Sequence, residues 1–269
     1  VVKGVGILLV CGGGGEIAFL TPAEIEQCVR AAVEVSNGRA HIMGAVYSEC
    51  SFHAHEDALR LQDAGADSLQ IGPPRFPGLT ADDFYRYYEE VARGLEIGVS
   101  MYNTHWYTRL MQPAEILRLA QLDAIVAVKW SHPSYQAFLA GVQALAGHIN
   151  VLDNQVSASA SHALGAVGYI STTGPWWPAY EVRIVKALQA GDFVEAEKLL
   201  TGLVYPFRKF WSEMTGRSQK GGPSPVLKAA AYLCGMAGGV PRPPCAPLTD
   251  AQVAELREFL VAKGVPVVR

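Results

Sequence analysis

Seven short apolar runs recur along the chain at intervals of about 18 to 35 residues, and this rhythm limits the available folds more than any other feature. The runs are Val5–Val10, His41–Val46, Ser68–Ile71, Gly98–Tyr102, Ile125–Lys129, Ile149–Leu152 and Val167–Ser171. Each is too short for a buried helix and close to continuously apolar, the pattern of a strand covered on both faces. Between them lie segments of helical periodicity with clear starts. Thr21-Pro22-Ala23-Glu24 reads as a capping box with proline at the first helical position. Thr80-Ala81-Asp82-Asp83 opens another helix, with acids in its first turn. Strands alternating with helices build a parallel sheet, and seven such units in one domain predict an α/β fold of the (β/α)8 TIM-barrel type. A doubly wound open sheet usually carries a GxGxxG turn after its first strand. Here that turn reads Gly12-Gly13-Gly14-Gly15-Glu16, so the barrel is the better reading.

A barrel needs eight strands, so the first β-α unit, about 30 residues, is expected to be missing from this chain or to lie upstream of Val1. From residue 177 the pattern turns helical, over about 178–190, 192–213, 223–236 and 249–263, the last starting at Thr249 with Gln252 in the capping-box position. The expected division is a barrel from its second strand over 1–177, then the last barrel helix and a C-terminal helical part over 178–269. Gly238–Pro247, rich in proline and glycine, reads as a connector.

Composition narrows the function classes. Lys+Arg 22 against Asp+Glu 25 gives a net charge of −3, which is not the footprint of a nucleic-acid binder. No apolar run reaches the ~18 residues of a membrane span. The five cysteines are scattered without a CxxC pair, and read as buried free thiols of a reducing compartment with no zinc site. A basic n-region with a small-residue cleavage site is not visible. The expectation is a cytoplasmic protein with neither nucleic acid nor membrane as partner.

In a barrel of this kind the chemistry sits at the C-terminal ends of the strands. Of eight lysines only Lys129 terminates an apolar strand. An amine desolvated there has a lowered pKa and is a nucleophile toward a carbonyl; a strand-end lysine reaching into solvent is the competing reading. Tyr102 ends the preceding strand, so adjacent parallel strands set it beside Lys129, where a phenol can shuttle protons. The glycines after the first strand expose backbone N–H groups that can cradle an anion, or else form a tight turn needing positive φ. No Lys-Ser/Thr follows, which excludes a nucleotide P-loop and favours a carboxylate. Glu16 is expected to cap that turn. The loops Asp153-Asn154-Gln155 and Ser171–Trp177 lack the glycine-rich character of a phosphate site, which disfavours a sugar-phosphate isomerase. His53-Ala54-His55 reads as a solvated helix start, and His105 and His132 as histidines that could line the mouth.

Taken together, Gly12-Gly13-Gly14-Gly15-Glu16, Leu20-Thr21-Pro22, Tyr102-Asn103, Val128-Lys129, Gly168-Tyr169-Ile170-Ser171 and the closing Arg242-Pro243-Pro244 with Pro247-Leu248 resemble the dihydrodipicolinate synthase/N-acetylneuraminate lyase family. The resemblance implies a class I mechanism in which lysine forms a Schiff base with pyruvate or another 2-oxo acid. It implies Lys129 as the Schiff-base lysine, Tyr102 as proton shuttle, Gly13 and Gly14 with Asn103 as carboxylate ligands, and Ile170 at the pocket border. His105, Trp130 and Ser171 are further pocket candidates. It also implies a homotetramer, with no metal and no organic cofactor.

The departures bear on substrate. True dihydrodipicolinate synthases usually carry two threonines where Gly13 and Gly14 stand, a tyrosine where Phe76 stands, and an arginine where Tyr107 stands, with Arg109 two residues on. The turn is closer to that of the 5-dehydro-4-deoxyglucarate dehydratases, which implies a 2-keto-3-deoxy sugar acid. An aromatic after the lysine is similar to the hydratase-aldolases of arylidene pyruvates, with Trp106, Trp130, Trp176 and Trp177 available for an aromatic pocket, or simply packing the rim. A dihydrodipicolinate synthase-like condensation and a 2-oxo acid binding barrel without turnover stay open beside these.

Overall fold

The computed structural model describes residues 4–106, 108–215 and 225–269. Each apolar run forms a strand: β1 (Ile7–Val10), β2 (His41–Tyr47), β3 (Ser68–Gly72), β4 (Gly98–Asn103), β5 (Ile125–Trp130), β6 (Asn150–Asp153) and β7 (Gly168–Tyr169). They make one parallel sheet in sequence order, every strand paired with its neighbours along the chain. An eighth strand is not among the described residues. Helices α1 (Pro22–Ser36), α2 (Ser51–Asp63), α3 (Ala81–Ala92), α4 (Pro113–Leu119), α5 (Tyr135–Leu145) and α6 (Ala158–Ala163) occupy the six crossovers. Thr21 and Thr80 close full capping boxes with Glu24 and Asp83, as their spacing requires.

The chain divides into two compact units, one formed by Gly6–Gly12 with Leu20–Ile170, the other by Gly13–Phe19 with Ser171–Arg269. In the first, strand side chains alternate between two environments. Ile42, Leu69, Met101, Val128, Trp130 and Val151 belong to one apolar cluster with buried residues of the covering helices, among them Leu61, Tyr88, Ile116 and Phe138. The alternate positions, paired across the strands as Ala45 with Gln70, Gln70 with Ser100, Ser100 with Ala127, and Tyr102 with Lys129, face the other way. One face of the sheet is therefore aliphatic and aromatic, and the other carries polar groups at full burial.

Besides Gly4, Val5 and Gly13–Phe19, the second unit's described residues carry α7 (Pro178–Gln189), α8 (Phe193–Leu199), α9 (Tyr205–Thr215), α10 (Pro225–Leu233) and α11 (Asp250–Ala262). Thr249 and Gln252 close the capping box of α11. Residues 223 and 224 of the expected third helix lie outside the described residues. The continuous helix expected over 192–213 is instead interrupted by a π-helical stretch, Leu200–Val204. The Tyr180 hydroxyl donates to the Leu199 carbonyl at 2.7 Å, and Thr201 Oγ1 donates to Glu197 O at 2.8 Å, which draws carbonyls out of the helical ladder. No helix of the described residues is long and apolar enough to cross a membrane. The cysteines are free, but of the five only Cys11 is buried and Cys28 is exposed, because α1 turns Cys28 outward.

Helix α5 approaches the sheet so closely that a Cβ added at Gly141 would fall 2.2 Å from Cζ2 of Trp130. Gly141→Ala is therefore expected to destabilise the protein by about 1–3 kcal/mol through overpacking, although alanine is the better helix former. Urea unfolding midpoints check this; a stabilised variant would show that the helix can move away.

Candidate active site

The register of β4 and β5 sets Tyr102 opposite Lys129 on the polar face of the sheet. Lys129 is 6 % exposed and its Nζ lies 4.4 Å from the centroid of the Tyr102 ring. Among the described residues no carboxylate stands within ion-pair distance of it. The ring face attracts the ammonium, but desolvation dominates and pulls the amine from 10.5 down to about 7. Near neutral pH a large share of Lys129 is therefore the free amine, the form that adds to a carbonyl.

Tyr102 is 3 % exposed, and its Oη accepts from Trp106 Nε1 at 3.1 Å. Burial pushes the phenol up to about 12, against the opposing pull of the Trp106 hydrogen bond. It stays protonated through the physiological range and is suited to lending a proton and taking it back. The other side of the ring system involves Tyr47, the last residue of β2, whose ring stacks on Tyr102 with centroids 5.5 Å apart and planes 8° from parallel. Tyr47 Oη accepts from Gln70 Nε2 at 2.6 Å. Lys129, Tyr102, Trp106, Tyr47 and Gln70 thus form one continuous group within the first unit.

Several polar residues at strand ends serve the backbone instead. Asn103 faces away from Lys129, and its side chain is bonded both ways to Met111: Nδ2 donates to the carbonyl at 3.0 Å and Oδ1 accepts from the N–H at 2.9 Å. It acts as a strut for the segment before α4. Trp130 lies on the helix-covered face, its Nε1 donating to Phe138 O at 3.0 Å, because strand alternation turns it opposite to Lys129. The expected place in the pocket is not where it stands. Asp153 accepts from Gln155, Val156 and Ser157 N–H groups and from Ser161 Oγ, and so ties down the turn after β6; burial raises its carboxyl. His132 Nδ1 accepts from Ser134 N–H at 3.0 Å within the β5–α5 turn. His105 is half-buried, edge-on to Trp106 at 4.7 Å. Ile170 is half-buried and donates its N–H to Asp153 O at 2.8 Å.

The second unit holds the glycine turn. Gly13–Gly15 form a 3-10 turn, and the left-handed conformations flanking it are taken by Cys11 (φ 55°) and Glu16 (φ 66°) rather than by glycines. A Cβ at Gly15 would meet nothing within 4 Å, so the missing side chain bares backbone without being required by the turn. Glu16 does not cap this turn. It is buried, with Oε2 2.6 Å from Lys228 Nζ and Oε1 accepting from Arg242 N–H at 3.3 Å, while Arg242 Nη1 donates to Phe19 O at 3.0 Å. These partners lie more than two hundred residues away in sequence, and no spacing signal announces them. Ser171 Oγ accepts from Thr173 and Gly174 N–H groups and makes its own turn. Trp176 packs on Phe207 at 4.9 Å and Trp177 on Tyr180 at 4.8 Å. Of the four tryptophans expected near the strand ends, Trp106 is the one bonded to Tyr102.

Phe76 is 72 % exposed, and Arg109 is paired bidentately with Glu115 at 3.0 and 3.1 Å. Tyr107 lies outside the described residues. His53 is exposed and His55 half-buried at the start of α2. Among the described residues no group of three His, Cys, Asp or Glu side chains could hold a metal ion.

Sequence and structure comparison bear on family and fold. The model of the dihydrodipicolinate synthetase family matches residues 1–263. A 4-hydroxy-tetrahydrodipicolinate synthase of Anaeromyxobacter sp. is 30 % identical over 98 % of this chain and 88 % of its own. A probable 5-dehydro-4-deoxyglucarate dehydratase of Streptomyces avermitilis is 28 % identical over 97 % of this chain and 83 % of its own. Among solved structures, dihydrodipicolinate synthase from Aquifex aeolicus superposes with a TM-score of 0.86 at 24 % identity, covering 99 % of this chain and 89 % of that one. A prophage protein of the dihydrodipicolinic acid synthase family from E. coli K12, solved in complex with pyruvate, gives 0.84 at 25 % identity, covering 98 % and 88 %. The chain belongs to the dihydrodipicolinate synthetase family, with its TIM-barrel-like α/β fold. It is an enzyme of that class I lyase group.

Two outcomes follow from the buried residues. Below about pH 7 the Lys129 ammonium is present in folded and unfolded chains alike, and the folded state carries its whole burial cost. Between about 7 and 10.5 the folded amine is neutral while the unfolded one still binds a proton, so stability rises with pH. Urea midpoints of wild type are expected to fall short of those of Lys129→Met at pH 6, with the gap closing toward pH 10; a gap constant with pH contradicts a desolvated amine. Asn103→Ala strands the buried Met111 N–H and carbonyl and should cost of order 1–3 kcal/mol by the same measurement.

Proposed function

We propose that the chain is a Schiff-base lyase for a pyruvate-like 2-oxo acid, with 2-keto-3-deoxy sugar acids as its substrate class. The observation that carries this reading is Lys129, a buried amine with a depressed pKa and a protonated phenol against it. Lys129 Nζ attacks the C2 carbonyl and forms a carbinolamine. Tyr102 gives a proton to the departing hydroxyl, which leaves as water, and an iminium remains. The iminium accepts the electron pair released when a C3 proton is lost, giving an enamine. From a substrate with a 4-hydroxyl, the enamine can expel that hydroxyl as water, which is dehydration. Alternatively the iminium accepts the pair of the C3–C4 bond while the 4-hydroxyl loses its proton, which is aldol cleavage. Dehydration leaves a conjugated iminium, whereas cleavage leaves an enamine that takes a proton at C3 to become an iminium; hydrolysis of either iminium then returns the lysine.

Dehydration is supported by the likeness of the glycine turn to that of the dehydratases and by the dehydratase-named relatives. The carboxylate role of Gly13 and Gly14 and the border role of Ile170 rest on the sequence resemblance. So does assembly as a homotetramer. A cytoplasmic setting rests on the scattered cysteines, and the reading of 1–177 as a (β/α)8 barrel from its second strand, with the last barrel helix and a C-terminal helical part over 178–269, rests on the rhythm of apolar runs. An aryl-selective hydratase-aldolase is the second reading, favoured by the Trp106 indole against Tyr102.

The experiment is borohydride reduction in the presence of pyruvate, a 2-keto-3-deoxy sugar acid or an arylidene pyruvate, followed by peptide mass mapping and product analysis. Wild type is expected to gain the substrate mass on Lys129, and Lys129→Ala to lose both labelling and turnover. Turnover of the sugar acid with water loss supports the dehydratase; cleavage of the arylidene pyruvate moves the assignment to the aldolase. Labelling without product from any of them identifies a binding protein. Equal turnover in Lys129→Ala overturns the mechanism.

A further inference from the structure

We infer that Tyr47 is a positioning residue for the Tyr102 phenol, held in place by Gln70 and admitted by the missing side chain of Gly72. The inference rests on the Schiff-base reading, in which Tyr102 exchanges protons with the adduct on Lys129.

Tyr47 ends β2, and its register partner on β3 is Gly72. A Cβ built on Gly72 would fall 2.8 Å from Cδ1 of Tyr47, so the Tyr47 ring lies across the space that a side chain there would fill. Only because that space is open can a residue of β2 reach over β3 and stack on Tyr102 of β4. Lys129 reaches the same Tyr102 ring from β5, the strand on the other side. The phenol is thus set between a stacked ring arriving from one direction and the amine arriving from the other. A tyrosine ring has a broad χ2 preference of its own, so the plane of Tyr102, and with it the placement of its hydroxyl, is chosen by what packs against it. A near-parallel stack adds attraction beyond area burial.

The means of holding Tyr47 point to a task beyond filling space. Gln70 is 1 % exposed, and its Nε2 meets Tyr47 Oη at 2.6 Å. Its Oε1, and Ser100 Oγ on the neighbouring strand opposite it, make no hydrogen bond among the described residues. Buried polar atoms left in that condition are costly, and aliphatic side chains would fill the same volume without the penalty. Here the polar arrangement fixes the orientation of Tyr47, and through Tyr47 that of Tyr102.

The test uses pyruvate with the full chain and reads two rates, borohydride-trapped adduct on Lys129 and exchange of the pyruvate methyl protons into deuterated solvent. Tyr47→Leu removes the stack and is expected to slow both about 10- to 100-fold, the scale of a 1 Å misplacement, with little change in the pyruvate concentration giving half the maximal rate. Tyr47→Phe keeps the stack and should recover most of the rate. In a Tyr102→Phe background, where no hydroxyl remains to be positioned, Tyr47→Leu should cost nothing further. Should Tyr47→Leu fail to fold, Gln70→Leu takes its place: it frees the Tyr47 hydroxyl, should slow both rates several-fold in wild type, and should cost nothing further after Tyr102→Phe. A folded Tyr47→Leu or Gln70→Leu with wild-type rates, or a loss that adds in full to that of Tyr102→Phe, overturns the positioning role while leaving the Schiff base standing. A wild-type protein that is never labelled on Lys129 overturns the Schiff-base reading itself, and the inference with it.

Discussion

The desolvation of a single amine is the constraint around which the first unit is organised. Lys129 keeps a low pKa only while water and carboxylates are kept from it, and it is buried with no carboxylate within ion-pair distance among the described residues. Its neighbours in register are Tyr102 and Leu152, and the next residue along β5, Trp130, is turned to the helix-covered side. The apolar cluster between sheet and helices, which includes Trp130, Phe138 and Val128, supplies the stability that an uncompensated buried amine subtracts. Close packing on one face and a desolvated amine on the other are consequences of the same two-residue alternation.

Polar side chains at strand ends meet two different fates here. Asn103, Asp153 and Ser171 have their hydrogen-bonding capacity taken up by nearby backbone, and each fixes a turn. Lys129 has no such partner to satisfy it, and Tyr102 is engaged by the Trp106 indole and by aromatic and cationic contacts on its faces. What separates the two fates is therefore not position at the end of a strand but whether local N–H and carbonyl groups take up the side chain. Glu16 and Lys228 extend the distinction, since the buried carboxylate and the half-buried ammonium tie the residue after the glycine turn to α10, with Arg242 N–H and the Val240 carbonyl as their further partners.

The strands, the three threonine capping boxes and the pairing of Tyr102 with Lys129 were legible in the sequence because each depends on residues near one another in the chain or on a fixed strand period. Lys129 stood out because an apolar run ending in a cation is physically expensive. The role of Asn103 was not legible, since its partner Met111 offers only backbone, which every residue has. Nor was the interruption at Leu200–Val204, which arises from the Tyr180 hydroxyl some twenty residues earlier. Tyr47 ends its strand and Tyr102 lies one residue from the end of its own, and that likeness was an available sign; what it lacked was a marker for the glycine on the next strand that lets it reach across.

That glycine has a bearing on how this sequence can change. Position 72 and position 47 share one volume, so any side chain larger than hydrogen at 72 requires a smaller ring, or none, at 47. Single steps at either place meet a penalty that a paired step avoids. In a population of descendants, or in a mutagenesis library, the two positions are expected to move as one character, and variants that exchange both would explore pocket shapes closed to either change alone.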